Sequence, residues 1–198
     1  MSIRSSVLLP LIMVFSASSA FATVITSEDF TSGASGWTNN STSVIQGNQV
    51  LGGFNLFGAG VSTEKTFALS GNQSSVDIAF DFWKGDSWDG EVAYAYANGD
   101  LIYSQQFMYF EGSQQAGQSY YLWNELLVPV SVNYATTASS LTLQFTSSLN
   151  QGANDEWWAI DNVVITDDVI ASVPEPTSLI LLGLGLIGFG FNRKRKMA

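Results

Sequence analysis

The sequence predicts an all-β domain, a jelly-roll β-sandwich, flanked by an N-terminal signal peptide and a C-terminal transmembrane helix. Three observations carry this. Apolar and polar residues alternate with period two through the middle of the chain. A two-residue turn signal joins two of the alternating runs. No stretch of the domain sustains a helical repeat.

Val76, Ile78, Phe80 and Phe82 alternate with Ser75, Asp77, Ala79 and Asp81, the pattern of a half-buried strand. Val92, Tyr94 and Tyr96 repeat it and run into Asn98-Gly99-Asp100, a strong hairpin signal, after which Leu101 and Tyr103 begin the return strand. Leu141, Leu143 and Phe145 alternate with Thr142, Gln144 and Thr146. In the last strand Trp158, Ile160 and Val164 fall on one face and Trp157, Ala159 and Asp161 on the other. Pro129, inside Leu126 to Val132, has no N–H to give a ladder and marks an edge strand or a bulge. Seven or more short strands separated by turns make a sandwich of the jelly-roll kind.

Both ends read as targeting segments. Arg4, the apolar run Val7 to Phe15 and the small-residue end Ala20-Phe21-Ala22 have the layout of a secretory signal cut after Ala22. Thr177 to Phe191 is apolar and uncharged, and Arg193-Lys194-Arg195-Lys196 follows at once. Those fifteen positions reach about 22 Å as a helix against a hydrocarbon core of roughly 30 Å, a marginal span helped by snorkelling of the basic cluster. The charge bias puts the C-terminus in the cytoplasm and the domain outside. The organisation is therefore a signal peptide at 1–22, a domain at 23–168, a linker at 169–176 and a basic-ended membrane segment at 177–198.

Two lysines, Lys65 and Lys84, face sixteen acids between Glu28 and Asp168, so the domain carries a balance near −14. Phosphate binding needs the opposite sign, which excludes a nucleic-acid partner. Histidine and cysteine are both absent, which removes Ser-His-Asp and Cys-His catalysis, zinc sites built on those residues, and disulfides. Gly183-Leu184-Gly185-Leu186-Ile187-Gly188 fits the dinucleotide fingerprint in spelling only. No strand-turn-helix unit surrounds it, and the acid expected about twenty residues further on has no chain left to occupy.

The acids gather in two runs, Asp86-Ser87-Trp88-Asp89-Gly90-Glu91 and Asn154-Asp155-Glu156-Trp157-Trp158-Ala159-Ile160-Asp161-Asn162. A hard cation such as Ca²⁺ takes six to eight oxygens in flexible geometry, and such runs supply them. The candidate ligands for a structural Ca²⁺ are Asp86, Asp89, Glu91, Asp155 and Asp161, with Glu156 adding to the charge between the clusters. Solvated acidic turns are the plain alternative. Trp88, Trp157 and Trp158 are candidate ligand-binding rings. Because Trp157 and Trp158 are adjacent on a strand they point to opposite faces, and at least one is expected to leave the core. Tyr120, Tyr121, Trp37 and Trp123 add to the aromatic content, for which a packed core is the plain alternative.

Val173-Pro174-Glu175-Pro176, then the apolar run, then the basic end resembles the PEP-CTERM sorting signal of Gram-negative bacteria. The resemblance implies recognition of Pro174, Glu175 and Pro176 by a membrane protease of exosortase type, after signal peptidase has removed the leader. It implies a precursor transiently anchored in the inner membrane and a product at the cell surface or beyond. Leu51-Gly52-Gly53-Phe54 and the two acidic runs resemble a recurrent extracellular jelly-roll type, similar in shape to carbohydrate-binding modules and lectin-like domains. It departs from that type at Gly53, where Pro is expected, and at Trp157, where a small residue is usual. These resemblances imply a non-catalytic binding or adhesion module associated with extracellular matrix polysaccharide. The rivals are a glycoside hydrolase using two carboxylates, for example Asp89 and Asp161, and a purely structural matrix protein.

Overall fold

The described residues form ten antiparallel strands, the alternating runs among them. The computed structural model describes residues 22–113 and 124–169. The signal segment before Ala22, Tyr120, Tyr121 and Trp123, and the Pro174-Glu175-Pro176 motif with its membrane segment lie outside the described residues. The strands are β1 (Ala22–Glu28), β2 (Thr42–Ile45), β3 (Asn48–Gly52), β4 (Ser62–Ala68), β5 (Gln73–Asp86), β6 (Asp89–Ala97), β7 (Asp100–Met108), β8 (Leu126–Ala135), β9 (Ser140–Ser147) and β10 (Glu156–Val169).

They form two sheets. One runs β2-β3-β10-β5-β8, with β1 also on β10; the other runs β4-β9-β6-β7. Strand β10 is the spine of the larger sheet. Its one side pairs with β5 along most of its length. Its other side takes β3 near Ile160 and β1 from Val163 to Asp168, where Ala22 faces Asp168. The β6–β7 hairpin closes through Asn98 and Gly99, both at positive φ (51° and 89°), between the paired Ala97 and Asp100. That is the mirror-image turn whose twist matches the strands, and Asn-Gly is its preferred sequence. The β2–β3 hairpin uses the same device with Gln46 and Gly47 (52° and 87°). Pro129 sits on β8, an edge strand that pairs only with β5, opposite Asp81.

The core lies between the sheets. Phe82 stacks on Phe107 at 5.8 Å and on Trp158 at 6.0 Å, with interplanar angles of 6° and 7°. Phe80 meets Phe145 edge-on at 4.9 Å. A second apolar cluster of Ile45, Val50, Trp83, Trp157 and Ala159, with Phe54, forms on the other face of β5 and β10. The period of two explains it: Trp83, Trp157 and Ala159 alternate with the core residues Phe82, Trp158 and Ile160. Trp157 lies over its register partner Gly85, where an added Cβ would fall 1.9 Å from the indole ring.

One face assignment differs from the alternation read off the sequence. Val163 and Ile165 join the core beside Trp158 and Ile160, whereas Val164 is only half-buried. Asn162 adopts positive φ (50°) and the β10–β5 register slips between Asp161 and Val164. A bulge inserts one residue and so exchanges the two faces downstream.

Candidate functional site

The first acidic run occupies the turn from β5 to β6. Trp88 is fully buried there, and its indole N–H donates to the Trp157 carbonyl at 3.1 Å, which ties the turn to the start of β10. Asp86 has positive φ (70°), and Asp86 is the register partner of Glu156. The second run enters β10 through a turn in which the Asp155 and Glu156 N–H groups donate to the Gly152 carbonyl at 2.9 and 3.1 Å. Two turns that are distant in sequence therefore meet at one end of the sandwich.

Carboxylate oxygens of Asp89, Glu91 and Glu156 converge there, all within 4.8 Å of one another. Asp89 is exposed, whereas Glu91 and Glu156 are 6% and 0% exposed. Glu91 accepts from the Asp89 N–H at 2.7 Å and from the Asn150 amide at 3.1 Å. Glu156 accepts from the Gln151 amide at 3.3 Å through Oε1, while its Oε2 is buried without a hydrogen-bond partner. Burial pushes the Glu156 carboxyl up to about 7, and the charges of Glu91, Asp89, Asp155 and Asp86 push the same way. That spread lets one oxygen from each of the three carboxylates share an ion. The acidic cluster has the donors to hold such an ion.

One buried cation lies close by. Lys84 is 0% exposed, and its ammonium donates to the carbonyls of Asp86 (2.6 Å) and Asn124 (2.7 Å). Burial lowers its pKa to about 8, against the opposing pull of Glu111, Asp86, Glu125 and Glu156.

Of the ligands expected from the sequence, Asp89 and Glu91 come together, joined by Glu156. Asp86 and Asp155 flank them; Asp155 accepts from the Ser87 hydroxyl at 3.3 Å. Asp161 is elsewhere. It lies five residues along β10 from Glu156, about 16 Å, and faces the other side of the sheet with Trp157 and Ala159. There it opposes Asp81, and Asn162 donates its backbone N–H to Asp161 at 2.7 Å and its amide to Asp81 at 2.8 Å. Burial raises the Asp161 carboxyl to about 6. Asp89 belongs to the smaller sheet and meets Glu156 at the start of β10, whereas Asp161 lies further along β10 on the far face of the larger sheet, so the two do not form a two-carboxylate centre.

The tryptophans also depart from expectation. Trp88, Trp157 and Trp158 are all 0% exposed, and neither Trp157 nor Trp158 leaves the protein interior. The second apolar cluster gives Trp157 an interior of its own, because β5 and β10 bury residues on both faces. Among the described residues the exposed aromatics are Tyr109 (43%) and Phe110 (61%), edge to face at 5.4 Å just after β7. Their signal in the sequence was weak: two aromatic residues at the end of an alternating run, beside Glu111-Gly112.

Residues 172–196 match the PEP-CTERM protein-sorting motif, so the chain carries that motif around Pro174, Glu175 and Pro176. No curated protein matches the chain. The sandwich is similar in structure to the CBM22-1 xylan-binding domain of Xyn10C from Paenibacillus barcinonensis. The TM-score is 0.47 at 16% identity, over 78% of this chain and 100% of that one. It is also similar to the K3 cleaved adhesin domain of Lys-gingipain from Porphyromonas gingivalis W83, with TM-score 0.45, 12% identity, and 74% and 99% of the two chains covered. A third likeness is to latent PorU from Porphyromonas gingivalis, with TM-score 0.39 and 22% identity over 58% of this chain. This chain spans only 11% of PorU.

Proposed function

We propose that this chain is an exported, non-catalytic binding or adhesion module of the extracellular matrix, delivered through its tail by an exosortase-type system. The sorting motif at 172–196 carries the reading, because such a motif is an address for export and the folded part ahead of it is a β-sandwich. Signal peptidase and the exosortase are its processing partners, and extracellular polysaccharide is its ligand class. Without the β2–β3 hairpin the sheet orders reduce to β1-β10-β5-β8 and β4-β9-β6-β7, which supports the jelly-roll topology. In the same reading Asp89, Glu91 and Glu156 hold a structural Ca²⁺, supported by the buried, unpartnered Glu156 oxygen among converging carboxylates.

Intact-mass analysis of the protein recovered from outside the native host tests the sorting. The expected product begins at Thr23 and ends between Val173 and Pro176. Full-length protein outside the cell, still carrying Arg193 to Lys196, would overturn it.

A further inference from the structure

The acidic end carries a feature that a purely structural ion does not need: one of its three carboxylates, Asp89, is exposed. Glu91 spends an oxygen on the Asp89 N–H and the other on Asn150, and Glu156 gives Oε1 to Gln151. Taken at one oxygen each, Asp89, Glu91 and Glu156 supply three ligands. Three protein oxygens leave at least three of the six to eight positions of Ca²⁺ to be filled from the solvent side. An exposed aromatic pair follows the strand partner of Asp89. Asp89 is the register partner of Met108, and Tyr109 and Phe110 follow Met108 directly. Cross-strand and chain geometry put their Cα atoms within about 13 Å of that of Asp89. The turn presenting them is fixed: the Glu111 N–H donates to the Met108 carbonyl at 3.1 Å, and the Glu111 carboxylate accepts from the Met108 N–H at 2.9 Å.

We infer that the ion at Asp89, Glu91 and Glu156 is shared with a bound glycan, two neighbouring sugar oxygens completing its coordination while Tyr109 and Phe110 pack against the sugar's apolar face. The inference rests on the calcium reading above and adds a ligand to the same site. Its chemistry follows from the charge. A −14 domain repels anionic polymers until an ion reverses the local sign, and adjacent sugar oxygens are hard donors of the kind Ca²⁺ prefers. The rings add apolar contact that needs no charge, and their turn is already ordered before binding.

The test uses the whole chain purified in mild detergent. Thermal unfolding with and without 2 mM Ca²⁺ reads the ion. Binding to immobilised xylo-, cello-, manno- and galacturono-oligosaccharides, in 2 mM Ca²⁺ or in EDTA, reads the glycan. The expected result is binding to at least one of these in Ca²⁺ and at least a tenfold loss in EDTA. Phe110→Ala should lose binding tenfold or more while keeping the calcium melting shift, and Asp89→Asn should lose both. A calcium shift with no glycan bound, or with binding indifferent to EDTA or to Phe110→Ala, overturns the shared-ion inference and leaves the structural ion standing. No calcium shift removes the ion and this inference with it.

Discussion

Replacing Glu156 by Gln separates the charge of this side chain from its shape. The carboxyl is buried and pushed to about 7 from an ordinary 4.5. Between those two values the folded state holds a proton that the unfolded chain has released, so stability falls as pH rises through that window. At pH 7.5 the ionised carboxylate costs the ion-free fold about 3 kcal/mol. Gln keeps the acceptor for Gln151, removes the charge and offers N–H donors to Glu91 and Asp89. In EDTA at pH 7.5 the variant should therefore be more stable than the parent by up to about 3 kcal/mol, and the gap should close toward pH 4.5. Under the calcium proposal the ion acts in the opposite direction on the parent. At 2 mM Ca²⁺ and a Kd near 10⁻⁴ M, linkage adds about 1.8 kcal/mol, roughly 6 °C in Tm for a domain this size. Glu156→Gln should lose most of that shift, and Mg²⁺ should give less of it to either protein because it demands tighter octahedral geometry. The assay is thermal unfolding from pH 4.5 to 8 in EDTA, Ca²⁺ or Mg²⁺ at matched ionic strength. A variant no more stable than the parent in EDTA would refute the burial argument. Equal shifts from both ions would reduce the effect to screening of an acidic domain.

Three further outcomes follow from the same geometry. Asp161→Asn should leave the calcium shift unchanged, since its carboxylate faces the other side of the sheet, and should stabilise the fold by an amount that grows from about pH 4 to about pH 6 and persists above, as burial of the charge is relieved. Gly85→Ala drives a methyl into the Trp157 indole and should cost about 1–3 kcal/mol or more in chemical denaturation. Lys84→Met removes the donor shared by the Asp86 and Asn124 carbonyls and leaves the surrounding acids uncompensated. A loss of about 3–5 kcal/mol is expected, and a smaller one would show that those acids take up protons instead.

The strands legible in the sequence were those with one face toward the core. Val76 to Phe82 and Leu141 to Phe145 announce themselves because solvent or a polar neighbour lies on the alternate side. Strands β1 to β4 carry little alternation: β1 reads Ala-Thr-Val-Ile-Thr-Ser-Glu, and its place on β10 is set by pairing over more than a hundred residues of sequence. The expectation that Trp157 or Trp158 leaves the core failed for a related reason. Alternation says that neighbours point apart, but only the β2–β3 hairpin, through Ile45 and Val50, decides that the second face is also dry. At the acidic end, composition gave the two clusters but not which members meet. The pairing of Glu156 with Asp86 decides that and leaves no mark in residue spacing, whereas the alternation along β10 already turned Asp161 away from Trp158.

The antiparallel pairing of β1 with β10 sets Ala22 opposite Asp168, so the domain is entered and left at one corner. Strand β10 then runs its 14 residues, about 45 Å, back to Glu156. The carboxylate cluster is consequently remote from the residues at which the domain begins and ends, Ala22 and Asp168. The fold is in effect already a near-closed loop. A short linker from residue 169 to residue 22 would span neighbouring strands about 5 Å apart, and the chain could be reopened between Asn98 and Gly99. Such a permuted domain should keep both sheets and would offer its acidic end from a different pair of termini.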